Sequence, residues 1–410
     1  MTVPADQASG ASPADPAPLV VPADHLPVDA LAPIRPAYGT GSLADLLPGV
    51  CAVLGVPGAA DVLGIGEHLA GIERVAVLLV DGLGTYQLPV AAPHAPVLAG
   101  LVAGGPGRVR TLTTGFPSTT PVSLVSLGAG VPPGAHGILG FTVRKPDGGI
   151  LNHIHWDDDP DPRVWQPVPT RLEAAAAAGV AVTAVTRPEY EGSGLTVSAN
   201  RGGVFAGASD HGALADRMLA ALRAGDGPAL VYGYHPDLDR TGHEDGVDSA
   251  AWRTAARGVD ELLDRLVTGL PSGAALLVTA DHGQLNVPAD ARLDMADDPA
   301  LSVGVTAVAG EPRVRYLYTA DGARDDVAAA WRERLGERAW VLTRDEAIAQ
   351  GWFGPVPPGH AGRIGDVVVI CLDRTVVLAS EWEPPILGRL VAYHGSVTAA
   401  EMTVPLLTVR

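Results

Sequence analysis

Short apolar runs alternate with helix-like stretches along most of this chain, and that alternation is the strongest constraint on its fold. Segments 74–80, 180–186, 229–234 and 274–280 are rich in Val, Leu and Ala, and are too short for core helices. The spacing predicts helices over 120–129, 170–178, 212–224 and 249–270, with another short one at 42–54 ahead of the first strand. Strands that are apolar at nearly every position are buried on both faces. The pattern therefore calls for an α/β fold with a mostly parallel sheet covered by helices on both sides.

The rhythm changes after Asp281. Segments 302–308 and 313–318 flank Gly310-Glu311-Pro312, a hairpin signature; a helix is expected at 325–338, and 366–372 and 375–379 flank Asp373-Arg374, read as a second hairpin. Residues 293–380 are therefore expected to form a smaller subregion appended to a main domain spanning 37–410. Residues 1–36, rich in Pro, Ala and Asp, read as a flexible N-terminal arm. The arm lacks a basic start and a long apolar stretch, and no run reaches membrane-helix length, so a cytoplasmic protein without membrane contact is the expectation. The segment 146–169 is a long polar loop, of a length that in compact domains often carries function.

With 410 residues, 47% of them hydrophobic, the chain can build a large core. A net charge of −18 argues against a nucleic-acid duplex as partner, because backbone binding needs a basic footprint. Two cysteines, Cys51 and Cys371, do not make a disulfide framework.

Two of the apolar runs end in aspartate: Asp81-Gly82 follows the first, and Asp281-His282-Gly283 follows the run at 274–280. In open α/β sheets ligands bind at the carboxyl ends of the strands. A third run leads into Asp237, Asp239 and His243, the last two spaced to share a helical face or a tight loop. His394 stands late in the chain in Tyr393-His394-Gly395-Ser396, ahead of the capping-box pair Thr398 and Glu401. Asp-Gly is common turn chemistry and a lone His is usually structural, so each piece is weak alone. Together, aspartates and histidines at successive strand mouths suggest a site for more than one cation, with O and N ligands suited to zinc. The run Phe116-Pro117-Ser118-Thr119-Thr120-Pro121 opens the helix at 120–129. Its hydroxyls read as N-caps, or as a nucleophile facing free backbone N–H groups.

The ordered set resembles the type I phosphodiesterase/nucleotide pyrophosphatase family of the alkaline phosphatase superfamily. The pieces are Asp81-Gly82, the Ser/Thr helix start, Gly130-x-x-Pro133-x-x-His136-Gly137-Ile138, Asp239-x-x-Gly242-His243, Asp281-His282-Gly283 and His394, and they cover about 75–396. The resemblance implies an alkaline-phosphatase-like three-layer sandwich, two Zn2+ ions (with Mn2+ or Fe as alternatives) and a small phosphorylated substrate such as a nucleotide. It implies one metal held by Asp81, Asp281, His282 and the nucleophile, the other by Asp239, His243 and His394. Many family members place the nucleophile in Thr-Phe-Pro-Asn. Here Gly115 precedes Phe116-Pro117, and counting back from His136-Gly137 lands on Thr120, with Thr119 as runner-up. His136 reads as structural, packed behind the nucleophile helix. The two asparagines of the family pattern are missing, and Asn152 is the candidate to contact the phosphoryl oxygens in their place. The implied reaction is phosphodiester or pyrophosphate hydrolysis through a covalent threonine intermediate. A phosphomonoesterase or phosphonate hydrolase is the alternative, with Arg144, Lys145 and Arg187 as candidate cations, and a non-catalytic metal-dependent binding protein is the second alternative. Trp156, Trp165 and Tyr190 could stack on a base, although packing is the default role of each.

Overall fold

The computed structural model describes residues 21–23, 26–104, 107–156 and 158–410. Seven strands form the main sheet, in the order Gly107–Thr113, Thr403–Val409, Ala274–Thr279, Arg74–Val80, Ala229–His235, Ala181–Thr186, Val204–Gly207. From Ala274–Thr279 to Val204–Gly207 every pairing is parallel, as the continuous apolar runs require. Thr403–Val409 runs antiparallel to both of its neighbours. Val80 pairs with His235 and Leu79 with Thr279, so the chain leaves these three central strands at one edge of the sheet.

Two groups of helices cover this sheet. One contains Pro96–Val102, His211–Arg223 and Ala250–Gly269, the other Leu46–Val53, Thr120–Ala129, Arg171–Ala177 and Gly194–Asn200. Ala250–Gly269 forms because Ser249 caps Trp252 N–H at 3.0 Å and an apolar stripe (Trp252, Ala256, Val259, Leu263, Leu266) faces inward. The helix Thr120–Ala129 is different, being buried along all its 10 residues. Pro121 fits its first turn, and Gly130 (φ 67°) ends it.

The expected first hairpin is present, with Val305–Glu311 antiparallel to Val314–Thr319. It sits in a six-stranded sheet ordered Ala339–Thr343, Val367–Cys371, Val314–Thr319, Val305–Glu311, Thr142–Arg144, Ile150–Asn152. Two differences from expectation stand out. This sheet recruits strands from 142–152, part of which had been read as loop, so the subregion is not confined to 293–380. The expected second hairpin does not form either. Val367–Cys371 pairs with the strands on either side of it, and Val376–Leu378 runs parallel to Arg292–Asp294. Local turn chemistry at Asp373-Arg374 could not reveal that each strand pairs with a segment outside the hairpin.

Of the expected N-terminal arm, residues 1–20 and 24–25 lie outside the described residues. Its later part is docked: Val28–Leu31 forms a turn that buries Ala30, Ile34 N–H donates to Val397 O at 2.8 Å, and Ala32 O accepts from Ala399 N–H at 2.8 Å. Among the described residues, no helix is long and apolar enough to cross a membrane.

Candidate metal centre

Six of the predicted ligands lie just past a strand or in the helix that follows one. Asp81 follows the central strand, and its N–H donates to His235 O at 2.9 Å. Gly82 has φ 74°, and a Cβ on it would lie 3.0 Å from the Cα and Cβ of Asp239. The glycine therefore permits both the left-handed turn and the approach of the next ligand. Asp281 and His282 follow the strand Ala274–Thr279. A Cβ on Gly283 would lie 2.1 Å from Ala400 O, so this turn closes against the C-terminal segment only with glycine. Asp239 and His243 lie one turn apart in the helix Asp237–Asp245. His394 follows the short strand Ala392–Tyr393, which is held against Leu285–Asn286.

These side chains converge. His282 Nε2 lies 3.1 Å from Thr120 Oγ1, 3.3 Å from Asp281 Oδ2 and 3.4 Å from Asp81 Oδ1. His243 Nε2 lies 3.1 Å from His394 Nε2 and 3.4 Å from Asp239 Oδ2, and His394 Nε2 lies 3.9 Å from Asp239 Oδ1. The rings of His282 and His394 stack with centroids 3.5 Å apart. Two sets, Asp81–Asp281–His282 and Asp239–His282–His394, bring their donor atoms within 4.8 Å of one another. His282 thus stands between the two halves of the cluster.

The donor chemistry fits a divalent cation. The Nδ1 atoms of His243, His394 and His282 face the carbonyl oxygens of Ala392 (2.8 Å), Ser118 (2.9 Å) and Gly283 (3.3 Å). A carbonyl only accepts, so Nδ1 carries the proton and the lone pair of each Nε2 points inward. Asp81 Oδ1 and Asp281 Oδ2 are buried without a hydrogen-bond partner. Burial, then the neighbouring Asp281 and Asp239 carboxylates, holds the Asp81 carboxyl well above its ordinary range. Burial pushes Asp281 up to about 6 and raises Asp239. Burial also drives His282 down to about 4, and it lowers His394 with help from His282 and His243. Every one of these shifts is toward the neutral form, as expected of buried groups that lack a counter-charge. A dication would supply that charge.

Thr120 opens the buried helix, and its side chain lines the cavity over this cluster. Thr119, its N-cap residue, is fully buried, and its hydroxyl faces the Glu311 carboxyl. Asp237, the competing aspartate, is tied to Arg187 and Arg240 and leaves Asp239 to face the histidines. His136 has the structural setting expected of it: its Nε2 lies 2.9 Å from Ser126 Oγ behind the Thr120 helix, and its Nδ1 accepts from Ile138 N–H at 3.1 Å. Asn152 is the exception. It ends a strand of the second sheet, and its Oδ1 accepts from Ile154 N–H at 2.9 Å, which closes a local turn. The cavity is lined by its neighbours Ile154, His155 and Trp156, not by Asn152, so the structure does not bring that side chain to the site.

The cavity measures about 770 Å³. Beyond the acidic floor its walls include Trp156, Tyr190, Leu195 and Phe141, with Arg187 and Arg240 at one side. Trp165 is packed in the core under Arg363, and Arg144 lies over the Tyr318 ring. Lys145 pairs with Asp147 and Asp159. Of the three candidate cations only Arg187 reaches the cavity.

Three polar residues of the site carried no sequence signal that had been used. Tyr234 donates its hydroxyl to Asp81 Oδ2. Gln284 Nε2 donates to both Asp239 O and Asp239 Oδ1, holding the carboxylate in place. Glu311, in the first hairpin, lines the cavity. Gln284 could have been found from its place next to Asp281-His282-Gly283, and Tyr234 from its place at the strand mouth. Glu311 read only as a turn residue.

The family model for type I phosphodiesterase / nucleotide pyrophosphatase matches residues 75–397, which include every one of these candidate ligands. The chain belongs to this family. Members are hydrolases of phosphoric esters that use divalent metals, within the alkaline phosphatase superfamily. No curated protein matches the chain. Among solved structures, murine ectonucleotide pyrophosphatase/phosphodiesterase 5 superposes with a TM-score of 0.63 at 19% identity, covering 81% of this chain and 87% of that one. An inactive form of the same murine protein in complex with AMP gives 0.62 at 18%, covering 82% and 87%. Phosphonoacetate hydrolase from Sinorhizobium meliloti 1021, in complex with phosphonoacetate, gives 0.63 at 21%, covering 82% and 90%. These likenesses establish the alkaline-phosphatase-like fold.

Proposed function

We propose that this member of the family hydrolyses a phosphodiester or nucleotide pyrophosphate bond through a covalent intermediate on Thr120. One observation carries the reading: Thr120 Oγ1 lies 3.1 Å from His282 Nε2, against the buried, unpartnered oxygens of Asp81 and Asp281. A mere binding site has no need of a hydroxyl there. Asp81, Asp281, His282 and Thr120 would hold one dication, and Asp239, His243 and His394 the other. The mixed oxygen and nitrogen donors suit zinc, with Mn2+ or Fe as alternatives. Bound, such ions act as Lewis acids toward phosphoryl oxygens and lower the pKa of a coordinated alcohol.

The chain's own residues do the rest. Thr120 Oγ attacks phosphorus in line: the Oγ–P bond forms, the bond from phosphorus to the leaving oxygen breaks, and the hydroxyl proton passes through solvent to the leaving oxygen. Free N–H groups of the helix's first turn add a partial positive charge, of roughly half a unit, beside the phosphoryl group. Water then cleaves the phosphoryl-threonine and restores the hydroxyl. Asp81 is held through Tyr234 and Asp239 through Gln284, so neither carboxylate has to reorganise during the reaction. Trp156 and Tyr190 offer an aromatic wall to a planar leaving group.

The test is turnover of bis-p-nitrophenyl phosphate. Thr120→Ala, or stripping the metal with a chelator, should abolish it while circular dichroism shows an intact fold. Undiminished turnover after either change would refute the mechanism. Phosphonate or monoester hydrolysis is the second reading. It is favoured by the phosphonoacetate hydrolase likeness and by Arg187 at the cavity wall, which could meet a second anionic group. Turnover of mono-p-nitrophenyl phosphate or phosphonoacetate above that of the diester would select it.

A further inference from the structure

Glu311 is a buried acidic side chain of the cavity, outside the ligand cluster, whose position the proposed mechanism does not use. It ends the strand Val305–Glu311 of the second sheet and lines the same cavity as Asp81, Thr120, Asp239 and His394. It is only 6% exposed, and its Oε1 has no hydrogen-bond partner. Its carboxyl fills the notch left by Gly395, next to His394, where a Cβ would lie 2.5–2.9 Å from its atoms. Nearby cations are already engaged, Arg313 with Glu401 and Arg315 with Glu383. An orphaned buried carboxyl is costly unless something outside the chain completes it.

We propose that Glu311 is a catalytic residue, a carboxylic acid that donates a hydrogen bond to a non-bridging phosphoryl oxygen of the substrate beside Thr120. This rests on the phosphoryl-transfer reading above. A phosphoryl oxygen offers only lone pairs, so the carboxyl must present a proton, and no covalent change at Glu311 is involved. Its surroundings favour that form. In the metal-free site burial, and then the charge of Glu401, raise its carboxyl, while a hydrogen bond with Thr119 and the charges of Arg315 and Arg313 lower it. The chain also lacks an amide donor at the two asparagine positions noted above, and Asn152 does not reach the cavity. Glu311 supplies from the second sheet a donor that the Thr120 segment lacks.

The test compares wild type, Glu311→Gln and Glu311→Ala, all zinc-loaded. Gln keeps a donor and Ala removes it. Calorimetric titration of inorganic phosphate should give near wild-type affinity for Gln and clearly weaker affinity for Ala. Diester kcat/KM for Ala should fall on the order of 100-fold, as when one donor to a developing anion is lost. Zinc content should stay unchanged in both variants. Thermal stability separates the readings: a merely structural contact would lower it in Ala without changing phosphate affinity. The proposal is overturned if Ala binds phosphate like wild type, if Gln is as weak as Ala, or if zinc is lost. Phosphate binding is read without turnover. A wild type that binds phosphate through Glu311 but cleaves no diester would sink the proposed reaction and leave this contact standing.

Discussion

Asp281 shows how a single residue ties the site to solution conditions. Burial holds its carboxyl up to about 6, and Asp81 and Asp239 shift the same way. A raised carboxyl carries a proton at pH values where a free aspartate would not, and a dication must displace that proton. His282, pushed down to about 4, stays neutral through this range and does not compete. Zinc affinity should therefore fall as the pH drops from 7 to 5, by roughly tenfold per pH unit for each proton displaced. Competition with a chromogenic chelator measures it, and a flat profile would show that the carboxyls are ionised before metal arrives. The three histidines whose Nδ1 atoms are anchored to carbonyls add a geometric condition, because only their Nε2 atoms are available to a cation.

At the level of elements, the helix that carries Thr120 is placed by a close contact far from its first residue. A Cβ on Gly128 would lie 2.0 Å from the carbonyl oxygen of Ala199 in the helix Gly194–Asn200, against which it packs. Backbone, not a flexible side chain, is the obstacle, so the helices cannot accommodate a larger residue without moving apart. Gly128→Val should destabilise the protein by about 1–3 kcal/mol or more, read from denaturant midpoints. It should also lower kcat, because tilting this helix displaces the hydroxyl. A variant with wild-type stability and turnover would show that the packing of the two helices can shift without consequence. Gly82 and Gly283 play the corresponding part for the strand-end turns.

At the scale of the whole molecule, the seven- and six-stranded sheets are tied together near the site by a buried ion pair. Arg313, from the hairpin of the second sheet, meets Glu401 at 2.9 and 2.7 Å with both side chains fully buried. Glu401 in turn accepts from Ser396 N–H at 2.9 Å and Thr398 Oγ at 2.6 Å, which fixes the loop that carries His394. Arg313→Met leaves the carboxylate buried and unpaired, a change that typically costs about 3–5 kcal/mol. Chemical denaturation would measure the loss. Reduced zinc occupancy of the folded fraction would show that the pair also positions His394. Adding Glu401→Gln to Arg313→Met should recover part of the stability, since it removes the stranded charge.

Much of this was legible in the sequence because strands that are buried on both faces have an unambiguous signature. The central strand Arg74–Val80 and the helix Thr120–Ala129 form where their patterns place them, and Asp81, Asp239, Asp281 and His282 follow directly from the chain's exits at the strand edge. The outer strands were less legible. Gly107–Thr113 and Thr403–Val409 were not anticipated, because their pairing joins segments almost 300 residues apart and no local pattern records it. The same limit explains the failed second hairpin and Asn152, whose side-chain oxygen is engaged by backbone N–H groups two and three residues away. The sequence alone determined the α/β class, the strand-end ligands and the hydroxyl at a helix start, since each depends on periodicity or on neighbours in the chain. His394 entered only through the resemblance, and the tertiary structure alone decided how it meets them and that Glu311 lies buried in the same cavity. Both depend on how two sheets meet, and burial against a distant surface is a property that neither residue carries in its own surroundings.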